Sequence, residues 1–179
     1  MEPKYLDYCL ELVWRALSTP IPTADEPLSG IADSTYDARE VEFLYPIPEH
    51  GHPQLTDDAW SDFQVERGYI RGFVDLLFGD GNKVYFADWK SDIRPEYAPA
   101  ALEDHVAEHY QIQSRLYMLA TVKLLDVHDA EAYQQRFGGF YYLFIRGMTP
   151  ESPGHGIYRS RPAWNDVLEW EEALRDGLP

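Results

Sequence analysis

Two β-rich runs, "RGYIRGFVDLLF" (67–78) and "KVYFADWK" (83–90), are separated only by Gly79, Asp80, Gly81 and Asn82. An Asp-Gly turn between such runs is a strong hairpin signature. An antiparallel hairpin also decides which side chains share a face, so it restricts the rest of the fold. With Asp80 and Gly81 as the central turn residues, Gly79 faces Asn82, Asp75 faces Phe86 and Phe73 faces Asp88. Residues directly opposed, or two apart on one strand, point to the same side. Asp75, Asp88 and Lys90 then share a face, with the two aspartates as diagonal neighbours about 7 Å apart at Cβ. Two carboxylates at that separation can converge on one divalent ion. A lysine beside them can position a water or stabilise developing negative charge. The plainer alternative is a strand-end ion pair of Asp88 and Lys90 that meets solvent.

Residues 4–17, "KYLDYCLELVWRAL", carry Tyr5, Leu6, Cys9, Leu10, Val13 and Leu17 at helical spacing and predict an amphipathic helix stopped by Pro20 and Pro22. Residues 20–38 read as a connector, and 39–45, "REVEFLY", as a strand. Residues 46–66 read as a long loop with a short edge strand near Phe63. Residues 92–104, with Pro95 and Pro99, read as a loop leading into one long helix over 105–125. "GGFYYLFIRGM" (138–148) reads as a buried strand, followed by a Pro- and Gly-rich loop and a short helix over 163–175. The 179 residues suit a single domain with a real core, and 45% hydrophobic content argues against disorder.

The net charge is −16, from 15 basic and 31 acidic residues. That speaks against autonomous binding of nucleic acid, which relies on Lys and Arg to neutralise phosphates. It suits a solvated surface, a cationic partner or a bound divalent metal. The single cysteine, Cys9, rules out an intrachain disulfide and fits a reducing cytoplasm. Glu2, Asp7 and Glu11 exclude a signal peptide at the N-terminus. No apolar run approaches the roughly 18 residues that cross a membrane.

The segments "REVEFLYPI", "GYIRGFVDLLF", "VYFADWKSD", "HYQIQSRLYMLA", "FGGFYYLFIRGM" and "GIYRSRP" follow in that order. Together they resemble the RecB-type C-terminal nuclease domain of exodeoxyribonuclease V and, more broadly, the PD-(D/E)XK nucleases. The likeness spans about residues 39–162. It implies an α/β, restriction-endonuclease-like mixed sheet flanked by helices, and Mg²⁺-dependent hydrolysis of DNA phosphodiester bonds, with Mn²⁺ as a substitute ion. By position, Asp75 matches the first metal-binding aspartate, and Asp88 and Lys90 match the acid and lysine of the D-x-K motif. The Trp89 carbonyl matches a further metal ligand and Glu40 a glutamate near the metal. Gln113 and Tyr117 match the Q-x-x-x-Y helix beside the site. The resemblance implies single strands delivered by a helicase, RecC-like and RecD-like partner subunits, no strong sequence specificity, and service in double-strand break repair and recombination. RecB-type domains carry a metal-binding histidine on a helix upstream of these segments, whereas the first histidine here is His50. The expected organisation is therefore one nuclease domain over 1–179 that is truncated at its N-terminus: helix and connector at 1–38, nuclease core at 39–162, C-terminal helix at 163–179. A nuclease fold without turnover, kept for docking to a RecC-like partner, is the alternative function.

Some residues carry two readings. Tyr117 suits the core as well as a site. Gln113, amid Ile112, Leu116 and Leu119, requires a polar partner. His109 shares the Gln113 face and suits either a site or a structural role. His50 and His52, in "EHGHP", have a metal-compatible spacing but suit a solvated loop. Arg146 suits DNA or a neighbouring carboxylate.

Overall fold

The structure is a computed structural model that describes residues 3–23, 26–46, 64–66 and 68–176. The hairpin is present, formed by β3 (Tyr69–Asp80) and β4 (Lys83–Lys90). Its turn lies one residue later than the sequence suggests. Asp80 pairs with Lys83, Gly79 with Val84, Leu77 with Phe86 and Leu76 with Ala87. Gly81, with φ 58°, takes the first central position, where glycine meets no Cβ penalty. Asp80 stays in the strand, and its carboxylate accepts a hydrogen bond from the Thr23 hydroxyl at 3.1 Å. The shift changes each pairing by two residues, so the faces of the paired residues 76–80 and 83–87 are the expected ones. Asp75 does not face Phe86, which pairs with Leu77; continued past its last pair, Leu76 with Ala87, the register would put Asp75 opposite Asp88 rather than diagonal to it.

Among the described residues, the sheet has six strands. Its path runs β1 (Tyr36–Pro46), β3, β4, β5 (Phe137–Phe144), β6 (Ile157–Ser160), and β2 (Gln64–Glu66) also pairs with β3. All pairings are antiparallel except β4 with β5. A parallel pair requires a crossover. Here α2 (Pro99–His109), α3 (Gln111–Leu124) and α4 (Ala130–Arg136) provide it. With α5 (Trp164–Asp176), these helices cover one face, where Leu102, Val106, Leu116, Tyr117, Tyr133 and Val167 pack on Phe86, Phe140 and Tyr142. Phe86 and Phe140 stack with centroids 4.8 Å apart. On the other face, Leu76, Phe78, Tyr85, Ala87 and Tyr141 pack with Ala16, Ile21 and Ile31. β5 is buried at all eight positions, as expected for a strand covered on both faces.

Several expected boundaries change. Pro99 opens α2 at its first turn instead of closing a loop, a position where the missing N–H is no loss. The expected single helix over 105–125 is two helices, broken at Tyr110, whose backbone sits at φ −121°, ψ 9°. The connector contains a bridge between Ile21 and Leu28 and a short 3-10 turn at Ile31–Asp33. α4, capped by the Asp129 side chain on the Ala132 N–H, and β6 lie where the sequence reading has no helix or strand. The N-terminal helix, α1 (Pro3–Ser18), forms as expected, but its apolar stripe stays open. Leu6, Leu10 and Val13 are 50–58% exposed, and Ala16 is the buried position of the helix.

Gly138 is required by close approach. A Cβ there would lie 2.2 Å from the ring of Tyr85, itself fully buried and stacked on Phe78 at 5.2 Å. The ring has no space to yield, so Gly138→Ala is expected to destabilise the fold by about 2–3 kcal/mol. Urea unfolding would show this as a lower midpoint at unchanged slope.

Candidate active site

The sheet carries the chemistry near its centre. On β4, Phe86 faces α2 and α3, so Asp88 and Lys90, two and four residues on, face them too. Both are buried, at 4% and 7% exposure, and Lys90 Nζ lies 2.6 Å from Asp88 Oδ2. The strand-end pair meeting solvent is therefore not what forms. Lys90 Nζ also donates to Gln113 Oε1 at 2.8 Å, and the Gln113 amide donates to the Tyr117 hydroxyl at 3.4 Å. Gln113 thus has the polar partner its apolar setting demands. Tyr117 is a core residue with edge contacts to Phe43 and Phe86, and its hydroxyl is the acceptor for Gln113.

β3 leaves β4 at Asp75. The paired register ends at Leu76 and Ala87, and beyond it the Asp75 carboxylate accepts the Trp89 N–H at 2.9 Å. β3 also reverses its faces here. Val74 and Leu77 both join the layer under α2 and α3, although residues three apart on a regular strand point to opposite sides. Directly across, on β1, Glu40 falls between the pairs Arg39 with Leu76 and Val41 with Val74 and adopts φ 51°. Such backbone is strained for a non-glycine residue. Glu40 and Asp75 thus occupy one row across β1 and β3, with Glu40 exposed at its end. Among the described residues, no three His, Cys, Asp or Glu side chains gather around one ion position.

Sequence reasoning missed the surroundings of the lysine. Its ammonium lies 4.1 Å from the ring centroid of Tyr110 and 4.9 Å from that of Tyr142. Both rings present the negative face of their π system to a cation. Tyr110 in turn donates its hydroxyl to both oxygens of Asp92, at 2.9 and 3.0 Å. The position of Asp92 two residues after Lys90 was the only available hint. Burial pushes the Tyr142 hydroxyl well above its ordinary pKa, and Asp88 adds to the effect.

The other expected residues lie at the periphery. His109 is half exposed, 3.6 Å from Glu108, and its ring is 4.5 Å from that of His105. Arg146 donates to the Ser91 carbonyl and to the Tyr8 hydroxyl. His50 and His52 lie outside the described residues.

His105 Nε2 lies 3.3 Å from Asp92. Burial holds the His105 pKa below its usual value, against the pull of Asp92. Burial alone would raise the Asp92 carboxyl, but hydrogen bonds from Tyr110 and His105 outweigh it and lower it. Both folded pKa values lie below their unfolded counterparts, so both groups bind protons more readily in the unfolded chain. Stability is expected to be full above about pH 6.5 and to fall as pH drops, first through His105 and then, below about pH 4, through Asp92. Urea unfolding at pH 7.5, 5.5 and 4 would show it, and His105→Gln should flatten the upper part.

The site thus combines a buried acid and lysine two residues apart on β4 with an aspartate at the fork of the hairpin, on a mixed sheet. The sequence profile of the PD-(D/E)XK nuclease superfamily matches residues 2–178, and the chain belongs to that superfamily. Within it, the chain is similar to proteins named RecBCD enzyme subunit RecB. It is 36% identical to that of Escherichia coli K12 over 90% of this chain and 16% of the relative. Identity is 33% to that of Borreliella burgdorferi, over 72% of this chain and 12% of the relative. With Haemophilus influenzae it is 32%, over 73% and 12%. The chain thus spans about one eighth to one sixth of the length of these curated relatives.

Proposed function

We propose that the site hydrolyses phosphodiester bonds of DNA with a divalent ion, Mg²⁺ or in its place Mn²⁺, as an exodeoxyribonuclease module of the RecBCD type. The observation that carries this reading is the buried Lys90 ammonium, clamped between Asp88 and Gln113 beside the Asp75 fork. Asp75, Asp88 and the Trp89 carbonyl would hold the ion. This sparse set fits Mg²⁺, which takes one or two carboxylates, keeps several waters and fills its octahedron with substrate phosphate. When bound, the ion supplies a Lewis acid that polarises the phosphate and makes water more acidic. Glu40, at the exposed end of the row, would hold water around the ion. Lys90 has three N–H donors. Two serve Asp88 and Gln113, and the third orients the attacking water or neutralises charge on the phosphate oxygens. Gln113 fixes the ammonium through its carbonyl, and Tyr117 fixes the amide of Gln113.

The names of the relatives support RecC-like and RecD-like partner subunits, and the charge of −16 suits a site to which other subunits deliver the strand; single strands delivered by a helicase, in cytoplasmic double-strand break repair and recombination, complete the proposal. Neighbouring subunits would then supply the phosphate contacts. The isolated chain is expected to bind single-stranded DNA more weakly than about 1 µM, with a shallow salt dependence. Fluorescence anisotropy from 50 to 200 mM salt checks it, and tight, steeply salt-dependent binding would contradict the division of labour. The nuclease reading itself is tested by calorimetric titration of Mg²⁺ and Mn²⁺ alongside digestion of linear single-stranded DNA. Binding with cleavage supports it. Absence of both would favour the second reading, a nuclease fold that docks to a RecC-like partner, which the open apolar stripe of α1 supports.

A further inference from the structure

We propose that Tyr110 is the positioning residue for Lys90 and that Asp92 is the anchor that holds it in place. The catalytic consequence rests on the nuclease reading; the positioning does not.

Three observations converge. The first is the break between α2 and α3. Tyr110 N–H still closes α2 on the Val106 carbonyl at 2.9 Å, and its own carbonyl receives the Ser114 N–H at 2.9 Å and the Tyr142 hydroxyl at 3.4 Å. A continuous helix would aim residue 110 along the helix surface. The break turns the ring instead onto the strand ends, where it meets Lys90, Tyr142 at 5.2 Å and Phe144 at 6.4 Å.

The second is the anchor. Asp92 lies just past β4, and its carboxylate takes the Tyr110 hydroxyl on both oxygens while His105 contacts one of them. The loop is fixed in turn, because the Asp92 carbonyl accepts the Tyr97 hydroxyl at 2.7 Å. A charged acceptor makes this a strong hydrogen bond. Tyr110 is thereby held at both ends, by its backbone and by its hydroxyl.

The third is the geometry at the cation. A lysine side chain has four rotatable bonds and loses much freedom when fixed. Asp88 and Gln113 fix the ammonium by hydrogen bonds. The Tyr110 and Tyr142 rings flank the ammonium on two further sides and add attraction for the charge, leaving its third N–H available. Lys90 is thus confined by two polar and two aromatic partners. Of the two rings, that of Tyr142 belongs to β5, and that of Tyr110 lies at the break between α2 and α3.

The test uses the full chain and two readouts. One is the ¹³C NMR shift of the Lys90 ε-methylene, assigned by its loss in Lys90→Arg; the face of a nearby aromatic ring moves it upfield. The other is kcat and KM on linear single-stranded DNA. The upfield shift is expected in the wild type and in Asp92→Asn, which keeps an acceptor. It should shrink in Tyr110→Phe and Asp92→Ala and mostly vanish in Tyr110→Leu. Tyr110→Leu should lower kcat about tenfold with KM within about twofold, in the range of a desolvated cation–π contact. Tyr110→Phe and Asp92→Ala should each cost about threefold, and combining them no more, because they cut the same link. A wild-type shift that Tyr110→Leu leaves in place overturns the proposal whether or not the chain cuts DNA. So does an unchanged kcat in Tyr110→Leu. The expected shifts in a chain that cleaves nothing uphold the positioning and sink the nuclease reading instead.

Discussion

Replacing Asp88 with alanine is expected to abolish Mg²⁺ binding and to reduce cleavage of linear single-stranded DNA by at least about a thousandfold, the loss typical when a group that stabilises transition-state charge is removed. Asp88 has two tasks that no neighbour can take over. It would supply one of only two carboxylates to the ion, and it is the counter-charge 2.6 Å from a buried ammonium. Asp88→Ala therefore leaves Lys90 unpaired inside the protein, which costs about 3–5 kcal/mol in addition to the loss of activity. Asp88→Asn separates the two effects, since its amide oxygen can still accept from Lys90 while offering a much poorer metal ligand. The asparagine variant should fold better than the alanine variant, because the hydrogen bond to Lys90 survives although the counter-charge is lost, fail to bind Mg²⁺ in a calorimeter, and cut DNA no better than the alanine variant. Retained cleavage in either one would remove Asp88 from the mechanism.

The second large effect concerns the stability of the same pair. Lys90→Met leaves Asp88 buried without its partner and is expected to destabilise the fold by about 3–5 kcal/mol at pH 7. Asp88→Leu/Lys90→Met, which replaces both members with apolar side chains, should recover most of that loss and can exceed wild-type stability, yet remain inactive. Denaturant unfolding of the two single variants and the double variant gives the coupling energy directly. A double variant less stable than either single one would mean that the pair holds the fold together and is not retained for its chemistry.

These expectations depend on which parts of the molecule the sequence made legible. The face shared by Asp88 and Lys90 could be deduced because the strand repeat is two, and a register error of two residues preserves the faces of the paired hairpin. The turn itself was ambiguous. "GDGN" offers Gly81 either as the second central residue after Asp80 or as the first before Asn82, and the chain uses the latter. Gln113 was legible as a polar residue among apolar neighbours. Tyr110 and Tyr142 were not, because their meeting at Lys90 joins three elements far apart in sequence, and an aromatic residue in an apolar pattern reads as core. The reversal at Asp75 and the left-handed Glu40 leave no trace in the hydrophobic pattern. The stripe on α1 was legible as amphipathic, but periodicity says only that a face is apolar, not what covers it.

The position of β4, antiparallel to β3 and parallel to β5, also sets an order of assembly. The β3–β4 turn closes over two residues, a contact that costs little chain entropy. The β4–β5 pairing closes only after residues 91–136 have crossed over the sheet, and such non-local contacts are slow to form. Asp75 and Asp88 can come together with the hairpin. Lys90 receives Gln113 and Tyr142 only when the crossover has docked. A partly folded chain would therefore hold its acids without a placed lysine, and cutting power would arrive with the last step of folding rather than the first.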